Sequence, residues 1–432
     1  MSAPSIDVTT ADRETLAALH ADLQADYDRL VDRGLRLDLT RGKPSSAQLS
    51  LSDPLLSLPG EGDFTAKDGT DCRNYGGLAG IEEIRELWGQ IFDIPTDQVL
   101  EAGNSSLALM HDCLTNFVLN GTGAGATPWG QVEGGVAVLC PVPGYDRHFT
   151  ILEGLGIRMI NVPMTATGPD MEVVASLVAG DASIRGIWGM PSYSNPTGVS
   201  YTTDVARRLA EMPTAADDFR ILWDNAYAVH HLTEAEPRVP DILTLTAEAG
   251  HPDRAVVFGS TSKITTAGSG MSFFGGSPAN VAWMQKFLSR RTIGPDKLNE
   301  LRHFRFLPDH LHVQELMRRH REIIAPKFAR VLEILDERLT GTGTAVWTTP
   351  TGGYFISLDV LPNTASRVVA LAKGAGVALT PAGATFPYGR DPQDRNIRIA
   401  PTFPSPDDVA TATEALTLCV LLAATEQRLA AA

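Results

Sequence analysis

The sequence predicts an α/β protein in which a large domain, built on a mostly parallel sheet with helices on both faces, is joined to a smaller α+β domain. Three observations predict it. The chain has 432 residues, too many for one hydrophobic core, so two domains are expected. From residue 136 onward, short apolar runs alternate with helical stretches, the pattern of a parallel sheet buried on both sides. After about residue 310 the pattern gives way to a long helical stretch, short strands and a final helix.

Residues 11–33 show helical spacing with many charges and read as a surface helix or arm. LDLTRGKPSS (37–46) then breaks into a loop. Ile81, Ile84, Leu87, Trp88 and Ile91 recur at helical spacing, which predicts an amphipathic helix over 81–92. GVAVLCP, GIRMINVP, IRGIWGMPS, RILWDNAY and RAVVFGSTSK are the candidate core strands, with a helix over 202–211 among the segments between them. The Gly-rich stretch 121–135 reads as an insertion loop. In the C-terminal part, a helix over 311–339 precedes VWTTPTGGYFISLDV, a further helix, VALTPAG, NIRIAPTF and a last helix from about 405. The expected division is 1–60 as an N-terminal arm and part of the small domain, 61–310 as the large domain and 311–432 as the small one.

Composition excludes several function classes. Hydrophobic residues make up 43% and charged residues 20%, ordinary values for a globular protein. Lys and Arg number 36 against 51 Asp and Glu, a net charge of −15, which disfavours nucleic acid and anionic membrane surfaces as partners. Cys72, Cys113, Cys140 and Cys419 form no CxxC pair and are expected as buried free thiols in a reducing cytoplasm. The N-terminus lacks a basic, then apolar, leader pattern, and no apolar run is expected to approach the roughly 20 residues of a membrane span. GTGAGA (121–126) follows a helical pattern and opens no helix, so it lacks the context of a dinucleotide loop. The adjacent His230 and His231 diverge on any regular element and have no spaced carboxylates, so no metal is expected.

In a parallel sheet, ligands sit at the carboxyl ends of the strands. Four polar clusters fall there in order: SNPTG (194–198), DNAY (224–227), STSK (260–263) and NIR (396–398). Asp224 closes a buried run, where a carboxylate needs a partner such as a protonated ring nitrogen. Tyr227, three residues on, could bond a phenolic oxygen of the same ring. Lys263 follows Val256-Val257-Phe258 and the small residues Ser260, Thr261 and Ser262. Loss of solvation there favours the neutral, nucleophilic amine. Arg398 stands between Ile397 and Ile399, and its guanidinium suits a carboxylate. Each alone has a plain explanation: an N-cap or ion pair for Asp224, a packed core tyrosine, a solvated surface lysine, turn chemistry for Asn195, a structural ion pair for Arg398. Their joint occurrence in this order does not.

On these motifs the chain resembles fold-type I aminotransferases dependent on pyridoxal 5′-phosphate (PLP), and within them a bacterial subgroup of aspartate aminotransferases with TRGKPS near the start and a GSTSK segment. The resemblance runs from about Arg41 to the C-terminus. It implies a seven-stranded, mostly parallel sheet and PLP bound covalently to Lys263 as an aldimine. It further implies that Asp224 keeps the pyridine nitrogen protonated, that Tyr227 and Asn195 bond the ring oxygen, and that Tyr145 stacks on the ring. Ser105 and Ser106 would meet the phosphate at a helix N-terminus, with Ser260 and Ser262 adding hydroxyls. Tyr75 would reach the phosphate of the neighbouring subunit in a homodimer. Arg398 would clamp the substrate's α-carboxylate beside Asn195 and the loop of Arg41, Gly42 and Lys43. Family members usually carry a phosphate-binding arginine eight residues after the lysine; here that position is Met271.

The implied reaction moves an amino group between an L-amino acid, aspartate by preference, and a 2-oxo acid, 2-oxoglutarate by preference, in ping-pong fashion. A dicarboxylate needs a second cation, with Arg41, Lys43, Arg290 and Arg291 as candidates. Two alternatives stay open on the same fold: a PLP-dependent lyase or decarboxylase, and an aminotransferase for another amino acid. A ligand-sensing regulator is disfavoured, because only 39 residues precede TRGKPS.

Overall fold

The computed structural model describes residues 6–123 and 125–431. Its strands, in chain order, are β1 Leu37–Asp38, β2 Val99–Glu101, β3 Ala137–Val142, β4 Arg158–Thr165, β5 Gly168–Pro169, β6 Ile184–Gly189, β7 Arg220–Asp224, β8 Ala255–Ser260, β9 Ser272–Gly276, β10 Ala345–Trp347, β11 Ile356–Val360, β12 Val377–Ala378 and β13 Asn396–Ile399. The large sheet runs β2-β9-β8-β7-β6-β3-β4-β5. Its middle, β8-β7-β6-β3-β4, is parallel, while β2, β9 and β5 pair antiparallel. The sheet therefore has eight strands rather than the expected seven; the two-residue β5 turns back on the end of β4.

Every residue of β3, β7 and β8 is buried, which is why these strands read as continuous apolar runs. β9, SFFGG, was not among the expected strands. Its glycines resemble a loop, yet Gly275 and Gly276 pair with Val257 and Val256 at the antiparallel edge.

The helices expected over 81–92, 202–211 and 311–339 are Glu82–Phe92, Thr203–Glu211 and His310–Leu339. The charged segment 11–33 folds as Arg13–Asp32, capped by Asp12 accepting from the Thr15 amide. The Gly-rich stretch after residue 121 is held by Arg220, whose guanidinium donates to the Thr122 carbonyl at 2.9 Å; position 124 lies outside the described residues. Apolar clusters divide along the chain. Two of them draw on residues between 66 and 317 and enclose the large sheet. Another joins residues 8–39 to 328–424 around β11 and β13.

The final helix corrects one expectation. Pro406–Ala431 reaches a mean hydropathy of 1.4 over 18 residues, long and apolar enough to cross a membrane. Its apolar residues instead pack against Arg13–Asp32 and His310–Leu339. A core helix buried nearly all round has the same composition as a membrane span.

Candidate active site

The parallel strands deliver their C-terminal residues to one region. β7 ends on Asp224, 2% exposed, and the following turn carries Tyr227, also 2% exposed. β8 ends on Ser260, three residues before Lys263. β6 leads to Asn195, 1% exposed, and β3 leads to Tyr145. Arg398 enters from β13 in the small sheet, 6% exposed despite its charge. Tyr145, Asn195, Tyr227, Lys263 and Arg398 face one cavity of about 520 Å³. Arg41, Gly42 and Lys43 close its side. Gly42 is required there, since a Cβ would lie 2.4 Å from the Phe355 ring.

Burial lowers the Lys263 pKa from its ordinary value, and the charge of Asp224 only partly opposes the shift. The ammonium atom lies 4.9 Å from the Tyr227 ring centre. A lysine held this way offers a larger share of free amine near neutral pH. Burial also pushes the Tyr145 hydroxyl up to about 12 and raises the Tyr227 hydroxyl well above its usual range, so both remain donors.

Asp224 shows how the site fits the cofactor. One carboxylate oxygen lies 2.9 Å from His148 Nε2, and that imidazole stacks on Trp188 at 4.0 Å and 17°. The other oxygen is buried and has no partner among the described residues. An unmatched buried carboxylate oxygen is costly, and a protonated pyridine nitrogen is a group that would satisfy it. The phosphate end is equally suited. Ser105 precedes the helix Ser106–Asn120 and makes no side-chain cap bond, so the first amides of that helix stay free for an anion. The Ser106 hydroxyl donates to Ser260 at 3.4 Å, and Ser260 to Ser262 at 3.1 Å, a row of hydroxyls at the same end.

Arg398 donates to Asp146 at 2.8 Å, to Asn195 at 3.4 Å and to Thr380 at 3.3 Å. Tyr75 stands 82% exposed on a loop whose Asn74 and Gly76 carbonyls accept from Lys297. Arg290 and Arg291 do not line the cavity of their own chain; Arg291 lies 3.2 Å from Asp112. Lys43 is turned over the Phe403 ring at 3.8 Å.

His148, Trp188, Asp146 and Arg147 escaped the sequence reading. His148 and Asp224 are 76 positions apart, so their pairing has no local signal. Asp146 and Arg147 adjoin Tyr145, which was the available clue. His230 and His231 do diverge: His231 bonds the Tyr193 hydroxyl at 2.7 Å, and His230 is wholly buried against Tyr227 and Tyr354.

The chain matches the aspartate amino-transferase family over residues 11–431. The chain belongs to that family. An aspartate aminotransferase of Corynebacterium glutamicum is 50% identical over 422 residues, which is 98% of this chain and 97% of that protein. A Mycolicibacterium smegmatis protein named as an aminotransferase is 54% identical over 416 residues, 96% of this chain and 97% of its own. The crystal structure of an aspartate transaminase from C. glutamicum superposes with a TM-score of 0.96 at 50% identity, covering 98% of this chain and all of that one. Membership of the aspartate amino-transferase family implies PLP as cofactor, and the geometry at Asp224 and Ser105 accommodates it.

Met271 stands eight residues after Lys263, where the resemblance led to the expectation of an arginine. The residue is fully buried within the main apolar cluster, and its amide and carbonyl both pair with Thr261. The side chain faces the core and is not among those lining the cavity. Met271→Arg is expected to destabilise the protein by about 3 kcal/mol or more, because an unpaired guanidinium would be buried. Urea denaturation followed by circular dichroism measures this. An unchanged midpoint with tighter cofactor binding would show that the side chain can reach the phosphate after all.

Proposed function

We propose that this chain is an aspartate aminotransferase acting on aspartate and 2-oxoglutarate, with PLP held covalently by Lys263. The observation that carries the reading is the buried amine of Lys263 facing the guanidinium of Arg398 across one cavity. One group suits bond formation and proton transfer, and the other suits a carboxylate.

PLP, when bound, withdraws electrons from the amino acid's Cα, chemistry that belongs to the cofactor. The chain's residues do the rest. Asp224 holds the ring nitrogen's proton through its free oxygen, while His148 and Trp188 fix the carboxylate's direction. Tyr227 and Asn195 would donate to the ring oxygen, and Tyr145 would cover the ring face. Ser105, Ser106, Ser260 and Ser262 hold the phosphate, with Tyr75 from the neighbouring subunit. Arg398 takes the α-carboxylate, and in doing so exchanges its contact with Asp146. The Lys263 amine, when not bound to the cofactor, would take the proton from the substrate's Cα and hold it for return.

A dicarboxylic substrate is supported by the named relative and by the charge of the cavity. Arg41, Lys43, Arg147 and Arg398 line it against the single carboxylate of Asp146. Arg41 and Arg147 have no ion pair among the described residues, which favours them over Lys43 for the distal carboxylate. A homodimer is supported by Tyr75 and Ile293, 82% and 63% exposed, on loops that meet where Gly294 abuts the Gly76 carbonyl. We place the small domain in the N-terminal arm and residues 311–432. Four buried free cysteines accord with a reducing cytoplasm.

Mixing purified protein with aspartate and 2-oxoglutarate is expected to yield glutamate and oxaloacetate. Aspartate should exceed alanine in kcat/KM by about 100-fold, the scale of one charge-assisted contact. Ammonia and pyruvate formed from aspartate without a 2-oxo acid would instead point to a lyase.

A further inference from the structure

The loop that borders the cavity at residues 40–43 runs on into a short helix, Ser46–Ser50, whose Gln48 is wholly buried. We propose that Gln48 is a positioning residue for Lys263, which it reaches through His320 and Tyr354. The proposal rests on the reading of Lys263 as the cofactor-bearing lysine.

The hydrogen bonds define the direction of every donor. Gln48 Oε1 accepts from the Ser45 amide at 3.0 Å, closing a capping box. That leaves both N–H groups of Gln48 Nε2 free. One donates to His320 Nδ1 at 3.1 Å and the other to the Tyr354 hydroxyl oxygen at 2.9 Å. Because Nδ1 accepts, Nε2 of His320 must carry the hydrogen, and it donates to the Ile264 carbonyl at 3.0 Å. The Tyr354 hydroxyl, having accepted, donates to the Lys263 carbonyl at 3.5 Å. Burial lowers the His320 pKa to about 4, so the ring stays in this neutral form at working pH. His320 and Tyr354 are each 1% exposed. One amide thus fixes two successive carbonyls, those of Lys263 and the residue after it.

The other end of the loop lies at the carboxylate clamp. The Thr380 hydroxyl donates to the Thr40 carbonyl at 2.8 Å and accepts from Arg398 at 3.3 Å. The Thr402 hydroxyl donates to the Lys43 carbonyl at 3.0 Å. Residues 40–48 therefore strap the arginine's surroundings to the lysine's backbone. The contacts run directly from side chain to side chain and to backbone, and buried networks of this kind act as units.

The test uses the cofactor-loaded enzyme and the apoprotein. Gln48→Met keeps the volume and removes both donors. It is expected to lower kcat at least about 10-fold with KM changed less than about 2-fold, the split of a group felt in the transition state. The pH midpoint of the visible cofactor band should shift, and amide exchange of residues 263–266 in the apoprotein should quicken about 10-fold. His320→Leu should reproduce these effects. His320→Gln, which can still accept from Gln48 and donate to Ile264, should restore kcat to within about 3-fold of wild type. Combining Gln48→Met with His320→Leu should cost no more than Gln48→Met alone.

Wild-type kcat, band midpoint and exchange in Gln48→Met would overturn the proposal. So would equal losses in His320→Gln and His320→Leu, or a fall in thermal stability with no change in the kcat-to-KM split. Should Gln48→Met fail to fold, the two His320 variants decide the matter alone. A wild-type protein without a visible band or activity would instead defeat the underlying reading of Lys263.

Discussion

Lys263→Ala is expected to abolish transamination, with kcat falling by at least about 10,000-fold, and to leave a protein without a covalent cofactor band. The size follows from two roles lost together. General acid–base transfer by a positioned group contributes about 100- to 10,000-fold. The covalent route through an amine contributes separately. Among the described residues no other amine is placed to substitute: Lys43 lines the same cavity but points over Phe403. The fold should tolerate the change, because Lys263 follows β8 rather than lying within it, and its carbonyl contact to Tyr354 belongs to the backbone. Absorbance spectra and steady-state assays of the variant, beside its melting temperature, measure the effect. A variant that keeps a reducible covalent band at another lysine, with activity within 10-fold of wild type, would remove Lys263 from its assigned place.

Much of this arrangement was legible in the sequence for one physical reason. Parallel strands buried on both faces must be apolar throughout, so a polar residue closing such a run stands out. Asp224, Lys263 and Asn195 were found by that contrast, and Arg398 by its interruption of Ile397 and Ile399. The family resemblance then supplied roles that spacing alone left open. Features that depend on distant pairing gave no such signal. The contact of His148 with Asp224 joins residues 76 apart, and that of Gln48 with His320 joins residues 272 apart. In sequence, Gln48 is one polar residue in a short segment, indistinguishable from a solvated one. The edge strand β9 was hidden because glycine weakens strand propensity, although pairing with β8 overrides it. Pro406–Ala431 was underestimated because its Thr residues dilute the apolar run, while Thr413 and Thr425 satisfy their hydroxyls on carbonyls one turn back.

Asp224→Asn separates function from stability, and its expected result is opposite in the two. With the carboxylate gone, the buried ring nitrogen loses its counter-charge. Breaking a buried charge pair costs about 3–5 kcal/mol, so kcat should fall by about 100- to 5,000-fold at 1.36 kcal/mol per tenfold change. The apoprotein should show no loss of thermal stability. Asparagine has nearly the same shape and can still meet His148, and the oxygen that has no partner in the native site no longer belongs to a buried charge. Native sites often hold such locally unfavourable groups because activity needs them. His148→Asn should act more mildly, by about 10-fold in kcat, since it disturbs only the direction of the carboxylate and leaves its charge. Parallel measurement of kcat and of melting temperature in the cofactor-free state tests both variants. If Asp224→Asn were active within a few-fold of wild type while destabilising the apoprotein, Asp224 would be a structural partner of His148 and the proton on the ring nitrogen would have to be held by some other group.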